Sequence, residues 1–322
     1  MNPVDRPVPN ATGATGASCG LCALRSRRLF THWVAAGGVA AFAGAAAAQD
    51  GSPSGSPSGN PPGSDVGVRN DVGRASRLAK LVPAAEVEDQ AAQQYLQMTR
   101  EFGARRALVA AGQPQMLRLR AIAQRLTPYA PAWNERARQW RWEVNLLDSK
   151  ELNAFCMPGG KIAFYTGILQ KLQLNDDEVA AVMGHEMAHA LREHARERLG
   201  KSLATRGVIE IGSALLGLGS LARTAADVGG QLLSLKSSRD DETEADIVGM
   251  DLAARAGYDP AAGVVLWQKM LAANKGAPPQ WMSTHPAGDT RIRDIQAKLP
   301  KVQPLFDRAA KPSQRYATYP AA

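Results

Sequence analysis

Apolar positions recur at three- and four-residue spacing over residues 84–102 and 114–126, the period of helices with one buried stripe. The period then shortens. "NAFCM" and "KIAFY" are apolar runs joined by Pro158, Gly159 and Gly160, which predicts a hairpin over residues 153–165. The next stretch, "VAAVMGHEMAHALREH" at 179–194, returns to helical spacing and is apolar on most sides. Asn175 stands at the N-cap position and Glu178 completes a capping box, so a largely buried helix is expected from 176 to about 192. "GVIEIGSALLGLGSLA" at 207–222 is apolar but short of the roughly 20 residues of a membrane span, and it contains Glu210. It reads as a buried helix or a lid.

The chain ends differ in character from this middle. "SRRLF" at 26–30 precedes a weakly apolar stretch that closes in Ala46, Ala47 and Ala48. Positive region, apolar region and small-residue site in that order describe an export signal over residues 1–48. The arginine pair resembles a twin-arginine signal, although Thr31 and His32 depart from the usual Leu and Lys, so the general secretory route stays open. The alternative is an inner-membrane anchor through residues 33–48. Residues 49–83 include "DGSPSGSPSGNPPGSD" at 50–65, which buries nothing and reads as a flexible linker. The folded part is expected over 84–310, with a disordered tail at 311–322. Export is therefore expected, with no stable membrane span in the mature chain.

Charge changes the picture little. The formal net charge is +8, of which the four arginines and Asp5 of residues 1–48 supply +3. The remaining excess is mild and does not by itself call for nucleic acid. "WNERARQWRW" at 133–142 interleaves Trp with Arg, and reads as a core-facing stripe with a solvated basic face. Three cysteines make no disulfide framework: Cys19 and Cys22 lie in the leader, and Cys156 is expected buried in the hairpin.

The candidate chemistry lies on the buried helix. His185 and His189 are four apart, about 40° around a helix, so both imidazoles can reach one zinc ion. Glu186 sits about 100° from His185, where it can reach a metal-bound water as a general base without ligating. A third ligand is required. His194 lies about 180° round a continuous helix and is expected to point away. "RDDETEAD" at 239–246 offers Glu242 and Asp246, four apart on one helical face. Glu242 could close the metal site and Asp246 could hold a ligand imidazole by its second nitrogen. The same cluster could instead be an acidic helix N-terminus favoured by the helix dipole. Glu244 is turned about 200° from Glu242 and is expected to be solvated.

"HEMAH" followed by "ETEAD" resembles the HExxH and ExxAD pair of peptidase family M48, the HtpX and CAAX prenyl protease type of zinc metallopeptidase. "NAFCMPGGKIAFYTG" at 153–167 and "STHPAGDTRI" at 283–292 are similar to two further family segments, in the same order. The resemblance runs from about Val144 to Ile295 and is closest to the short, one-domain periplasmic members. It implies a gluzincin-type α+β domain, mostly α-helical, with a small sheet or hairpin beside the HExxH helix. It implies one Zn2+ per chain on His185, His189 and Glu242, with Glu186 as base and Asp246 beside the ligands. His285 matches a late active-site histidine that either donates to an oxyanion or takes the open zinc position and silences the enzyme. Arg291 either supports the site or pairs with an acidic residue. The hairpin edge at Asn153, Ala154, Phe155, Pro158, Gly159 and Gly160 could hold an extended substrate by strand addition. The implied activity is zinc endopeptidase action on unfolded or misfolded envelope proteins in the periplasm of a Gram-negative bacterium, with the outer-membrane assembly machinery as a candidate partner; the mild charge and the Trp/Arg stretch give no nucleic-acid partner. The alternative is a zinc-stabilised binder or chaperone that holds unfolded chains and seldom cuts.

Overall fold

The computed structural model describes residues 66–215, 237–273, 280–285 and 289–320. These belong to one unit, Ser58–Ala322. The expected export signal, the Gly/Ser/Pro run, Cys19 and Cys22 fall outside the described residues.

Two amphipathic helices come first: α1, Ala84–Ala104, and α2, Pro114–Leu126. On α1, Val87, Ala91, Tyr95 and Thr99 are buried one turn apart. Pro114 opens α2 at a position where a missing N–H costs nothing. The sheet follows, with β1 at Glu143–Leu147, β2 at Ala154–Met157 and β3 at Lys161–Tyr165. Its order is β1-β3-β2; β1 runs parallel to β3, and β2 antiparallel to it with Ala154 opposite Phe164. Gly159 and Gly160, at φ of 82° and 79°, close the hairpin where a side chain would be strained. Thus β2 is an edge strand. The Tyr95 hydroxyl donates to the Ile162 carbonyl and so ties α1 to β3.

After the short α3, Thr166–Leu172, comes α4, Asp176–Leu191. Its capping box is formed by Asn175 and Glu178. Its apolar faces are buried nearly all round, which makes it the central helix of the core. Arg118 of α2 is fully buried and anchors the start of α4. It donates to Asp176 Oδ1 at 2.6 Å and to the Leu174 carbonyl at 2.7 Å. The remaining described helices are α5, His194–Leu215; α6, Arg239–Arg255; α7, Ala262–Ala273; α8, Gln280–Thr284; and α9, Asp289–Arg308.

α4 and α6 cross at Gly184 and Gly249. A Cβ on Gly184 would lie 2.7 Å from the Gly249 carbonyl oxygen, and one on Gly249 would lie 2.6 Å from the His185 nitrogen. Two glycines therefore let the helix backbones touch beside His185.

Residues 66–83, placed above in the linker, include helical turns at Arg69–Asp71 and Arg77–Leu81. Val68 is buried in the main core, and Asp71 accepts hydrogen bonds from Lys298 and Lys301 of α9. The stretch assigned to a disordered tail also has partners. The Tyr316 N–H donates to Asp176, Arg315 pairs with Asp177, and the Tyr319 carbonyl accepts from Gln173. Two of these three contacts use backbone groups, which composition does not reveal. In the Trp/Arg stretch, Trp140 joins the core and Trp133 and Trp142 pack against it, while Arg136 pairs with Glu88. Of the apolar run at 207–222, residues 207–215 continue α5 and the rest lies outside the described residues. Among the described residues no helix is long and apolar enough to cross a membrane.

Candidate metal centre

α4 supplies His185 and His189 from consecutive turns, α6 supplies Glu242, and the residue after α8 is His285. One donor atom from each lies within 4.8 Å of the others, and all four residues are buried. His185 Nε2 is 3.1 Å from His189 Nε2, 3.3 Å from His285 Nδ1 and 3.5 Å from Glu242 Oε2. Glu242 Oε1 is 3.4 Å from His189 Nε2 and 2.9 Å from His285 Nδ1.

These separations test whether a metal fits. A tetrahedral cation with nitrogen ligands at about 2.0–2.1 Å has ligand–ligand edges of about 3.3 Å. The observed separations cluster at that length. Moreover, Glu242 Oε2 is buried and accepts no hydrogen bond, although Arg291 Nη1 lies 2.8 Å away. Three ring nitrogens and a carboxylate converging on one point, with a lone pair left over, suit a cation.

The electrostatics agree. Burial alone would push His185 down, but the hydrogen bond to Asp246 and the nearby Glu242 carboxylate hold it up to about 9. Burial and the neighbouring His185 push His189 well below its ordinary value. Burial would raise Glu242, yet His185 and His285 hold it far below the usual carboxylate range. The carboxylates thus favour positive charge at the centre, while the crowded imidazoles cannot all carry it as protons.

Around this centre, Asp246 Oδ1 accepts from His185 Nδ1 at 3.0 Å. Arg291 grips Asp246 with two hydrogen bonds of 2.7 Å. Its guanidinium lies 3.6 Å from the ring centre of Trp267, which stacks on Trp281. Trp281 is fully buried and donates its indole N–H to Glu186 Oε1 at 2.6 Å. His285 Nε2 lies 3.6 Å from the same oxygen. A cleft of ≈ 600 Å³ opens beside these groups, lined by Asn153–Pro158 of the hairpin and by Tyr165, Glu186, His189, Arg198 and His285. Cys156, also in its lining, is buried and free, and burial pushes its thiol up. Gly159 and Gly160 lie at the turn beyond the cleft.

Two expectations are corrected. His194 does not point away, because α4 ends at Leu191 and the chain turns at Glu193, with φ of 58°. That turn starts a new helix and folds His194 back, so that its Nδ1 is 2.8 Å from His189 Nδ1. Glu244 is not a solvated residue. It accepts from His194 Nε2 at 2.8 Å and pairs with Arg192. Trp281 was not singled out by sequence. Its signal was its place four residues before His285, on the same helical face.

A two-histidine helix crossed by a glutamate-bearing helix, beside an edge strand and a cleft, defines a metallopeptidase domain. The chain belongs to Peptidase family M48, whose model matches residues 113–299. It is similar to the mitochondrial metalloendopeptidase OMA1 of Schizosaccharomyces pombe, with 37% identity over 51% of this chain and 48% of the relative. It is also similar to the metalloprotease LoiP of Escherichia coli, 29% identical over 55% of this chain and 70% of that protein. A third relative is the beta-barrel assembly-enhancing protease of Escherichia coli, 28% identical over 52% of this chain and 36% of that protein. The chain thus matches about half or less of the length of the OMA1 proteins.

Proposed function

We propose that the chain is a zinc-dependent endopeptidase, exported to the periplasm of a Gram-negative bacterium, that cuts unfolded or misassembled envelope proteins. The convergence of His185, His189 and Glu242 at tetrahedral separations, with Glu186 on the next residue of the same helix, carries this reading. These three side chains would hold one zinc ion, which would supply Lewis-acid polarisation of the scissile carbonyl and an acidified water. Glu186 takes the water proton and returns it to the leaving amine. Trp281, by donating to Oε1, orients the carboxylate and leaves Oε2 for that proton. Asp246, held by Arg291, keeps the proton of His185 on Nδ1 and its lone pair on Nε2.

β2 pairs with β3 on one side, and its other edge lines the cleft. An extended chain added there would be read through its backbone rather than its side chains, which suits unfolded substrates. Export rests on the signal-like N-terminus. Outer-membrane assembly machinery is the proposed partner, by likeness to the beta-barrel assembly-enhancing protease. N-terminal sequencing of the protein recovered from a cell envelope tests cleavage near Ala48.

A second reading is favoured by His285. Its Nδ1 takes the fourth corner of the group, the corner a substrate or water needs. In that arrangement the enzyme is silent, and the chain acts as a zinc-stabilised binder of unfolded proteins until α8 moves. The test is zinc content and casein cleavage by the mature chain beside His285→Ala. Zinc-dependent cutting by either protein supports the peptidase, and greater cutting by the variant supports the gate. Zinc retention with no cutting by either supports the binder.

A further inference from the structure

We propose that His194 and Glu244 form a positioning relay that holds His189 as a metal ligand, an inference that rests on the metal-site reading above. Both residues lie outside the four-residue group. Neither faces the cation position, and both were expected elsewhere from helical geometry.

The relay begins with the break after α4. Arg192 and Glu193 close the helix, with the Arg192 N–H on the Ala188 carbonyl and the Glu193 N–H on that of Ala190. α5 then starts at His194, which is 1% exposed. Two ring nitrogens 2.8 Å apart, Nδ1 of His189 and Nδ1 of His194, share one hydrogen. His194 Nε2 in turn lies 2.8 Å from Glu244 Oε2.

Proton positions follow from these contacts. A carboxylate accepts only, so the hydrogen between His194 and Glu244 belongs to His194 Nε2. Neutral His194 then has a bare Nδ1 and accepts from His189 Nδ1–H. His189 is left with its lone pair on Nε2, the atom that faces His185 Nε2 and Glu242. Glu244 therefore sets the tautomer of a ligand two residues away through the chain of hydrogen bonds. Arg192 holds Glu244 in place, with Nε at 2.8 Å from Oε1, and Arg192 is itself tied to the Gly73 carbonyl.

The other helix ligand shows the same logic with one link fewer. His185 donates directly to Asp246, and Arg291 grips that carboxylate. α6 thus brings three acids of one short segment to the centre. Glu242 faces the cation position, and Asp246 and Glu244 each fix one histidine. If His194 were only filler, an apolar side chain would fill its place without burying two ring nitrogens.

The test uses the full chain and zinc itself. Zinc affinity is measured by competition with a chromophoric chelator, alongside the melting temperature of the zinc-stripped protein. His194→Phe keeps a ring but removes both hydrogen bonds, and should weaken zinc binding about 10–100-fold. Glu244→Gln should weaken it by about 10-fold, at the lower end of that range. His194→Asn keeps an acceptor near Nδ1 and should recover part of the loss. Stripped-protein melting temperatures should stay near wild type in Glu244→Gln, whose side chain is partly exposed. Wild-type zinc affinity in both His194→Phe and Glu244→Gln would overturn the relay. So would losses that simply track the melting temperature. A wild-type chain that binds no zinc sinks the metal-site reading itself, and is seen before any variant is compared.

Discussion

The indole N–H of Trp281 and the Glu186 carboxylate meet at 2.6 Å, deep in the protein. Trp281 lies on the same short helix that leads to His285, and the His285 N–H donates to the Trp281 carbonyl. The residue poised over the metal corner and the residue that aims the base are therefore one unit. Trp281→Phe keeps the stacking on Trp267 but removes the donor. A misaimed catalytic group costs on the order of 10²-fold. We expect kcat on a fluorogenic peptide to fall by about that factor, with zinc affinity unchanged. Wild-type kcat would show that the indole aims nothing.

Gly249→Ala places a methyl group against the backbone of His185. Overpacking of this kind costs about 1–3 kcal/mol. Because α6 carries Glu242 and Asp246, the same displacement should weaken zinc binding. Chemical denaturation of the stripped chain and chelator competition measure the two effects. A stable variant with unchanged zinc affinity would mean that the helix crossing is not what brings Glu242 to His185.

Arg118→Ala leaves Asp176 buried at the start of α4, with the Tyr316 N–H still donating to its other oxygen. Removing one partner of a buried ion pair costs about 3–5 kcal/mol. The loss should appear as a lower denaturation midpoint. A change below about 1 kcal/mol, as for an exposed pair, would contradict this account.

The anchor at Asp71 should depend on pH. Hydrogen bonds from Lys298 and Lys301 hold its carboxyl below the ordinary range. A depressed folded value means stability that is present above the unfolded value, about 3.9, and lost as pH falls through the folded one. Lys301 is half exposed, so salt should also weaken the anchor. Hydrogen exchange over residues 66–81 should be faster in Asp71→Asn than in wild type at pH 7. The difference should shrink progressively as pH falls below the unfolded value. A difference that does not shrink with falling pH would mean that the charge is not what holds this segment.

What could be read from sequence was local. The capping box of Asn175 and Glu178, the Pro158–Gly160 turn and the one-turn spacing of His185 and His189 depend on neighbouring residues, and each formed as expected. The pairing of α4 with α6 was legible only as a possibility, because the glycines that permit it lie 65 positions apart and carry no side chain to signal contact. The break at Glu193 hid His194. Glu193 is neither glycine nor asparagine, so nothing local marked a left-handed residue there. Residues 66–83 and the described part of 311–322 looked unstructured because what holds them is non-local: Val68, Asp71 and the Gly73 and Val82 carbonyls in one, the Arg315 side chain and backbone groups of Tyr316 and Tyr319 in the other.

The most direct test of the central claim is casein degradation by the purified, zinc-loaded mature chain beside Glu186→Gln. The substitution keeps the size of the base and removes its ability to take a proton. Wild type should cut, and the variant should lose about 10²–10⁴-fold in rate while keeping its zinc. Equal cutting by the two proteins would contradict the assignment of Glu186 as the base and, with it, the mechanism.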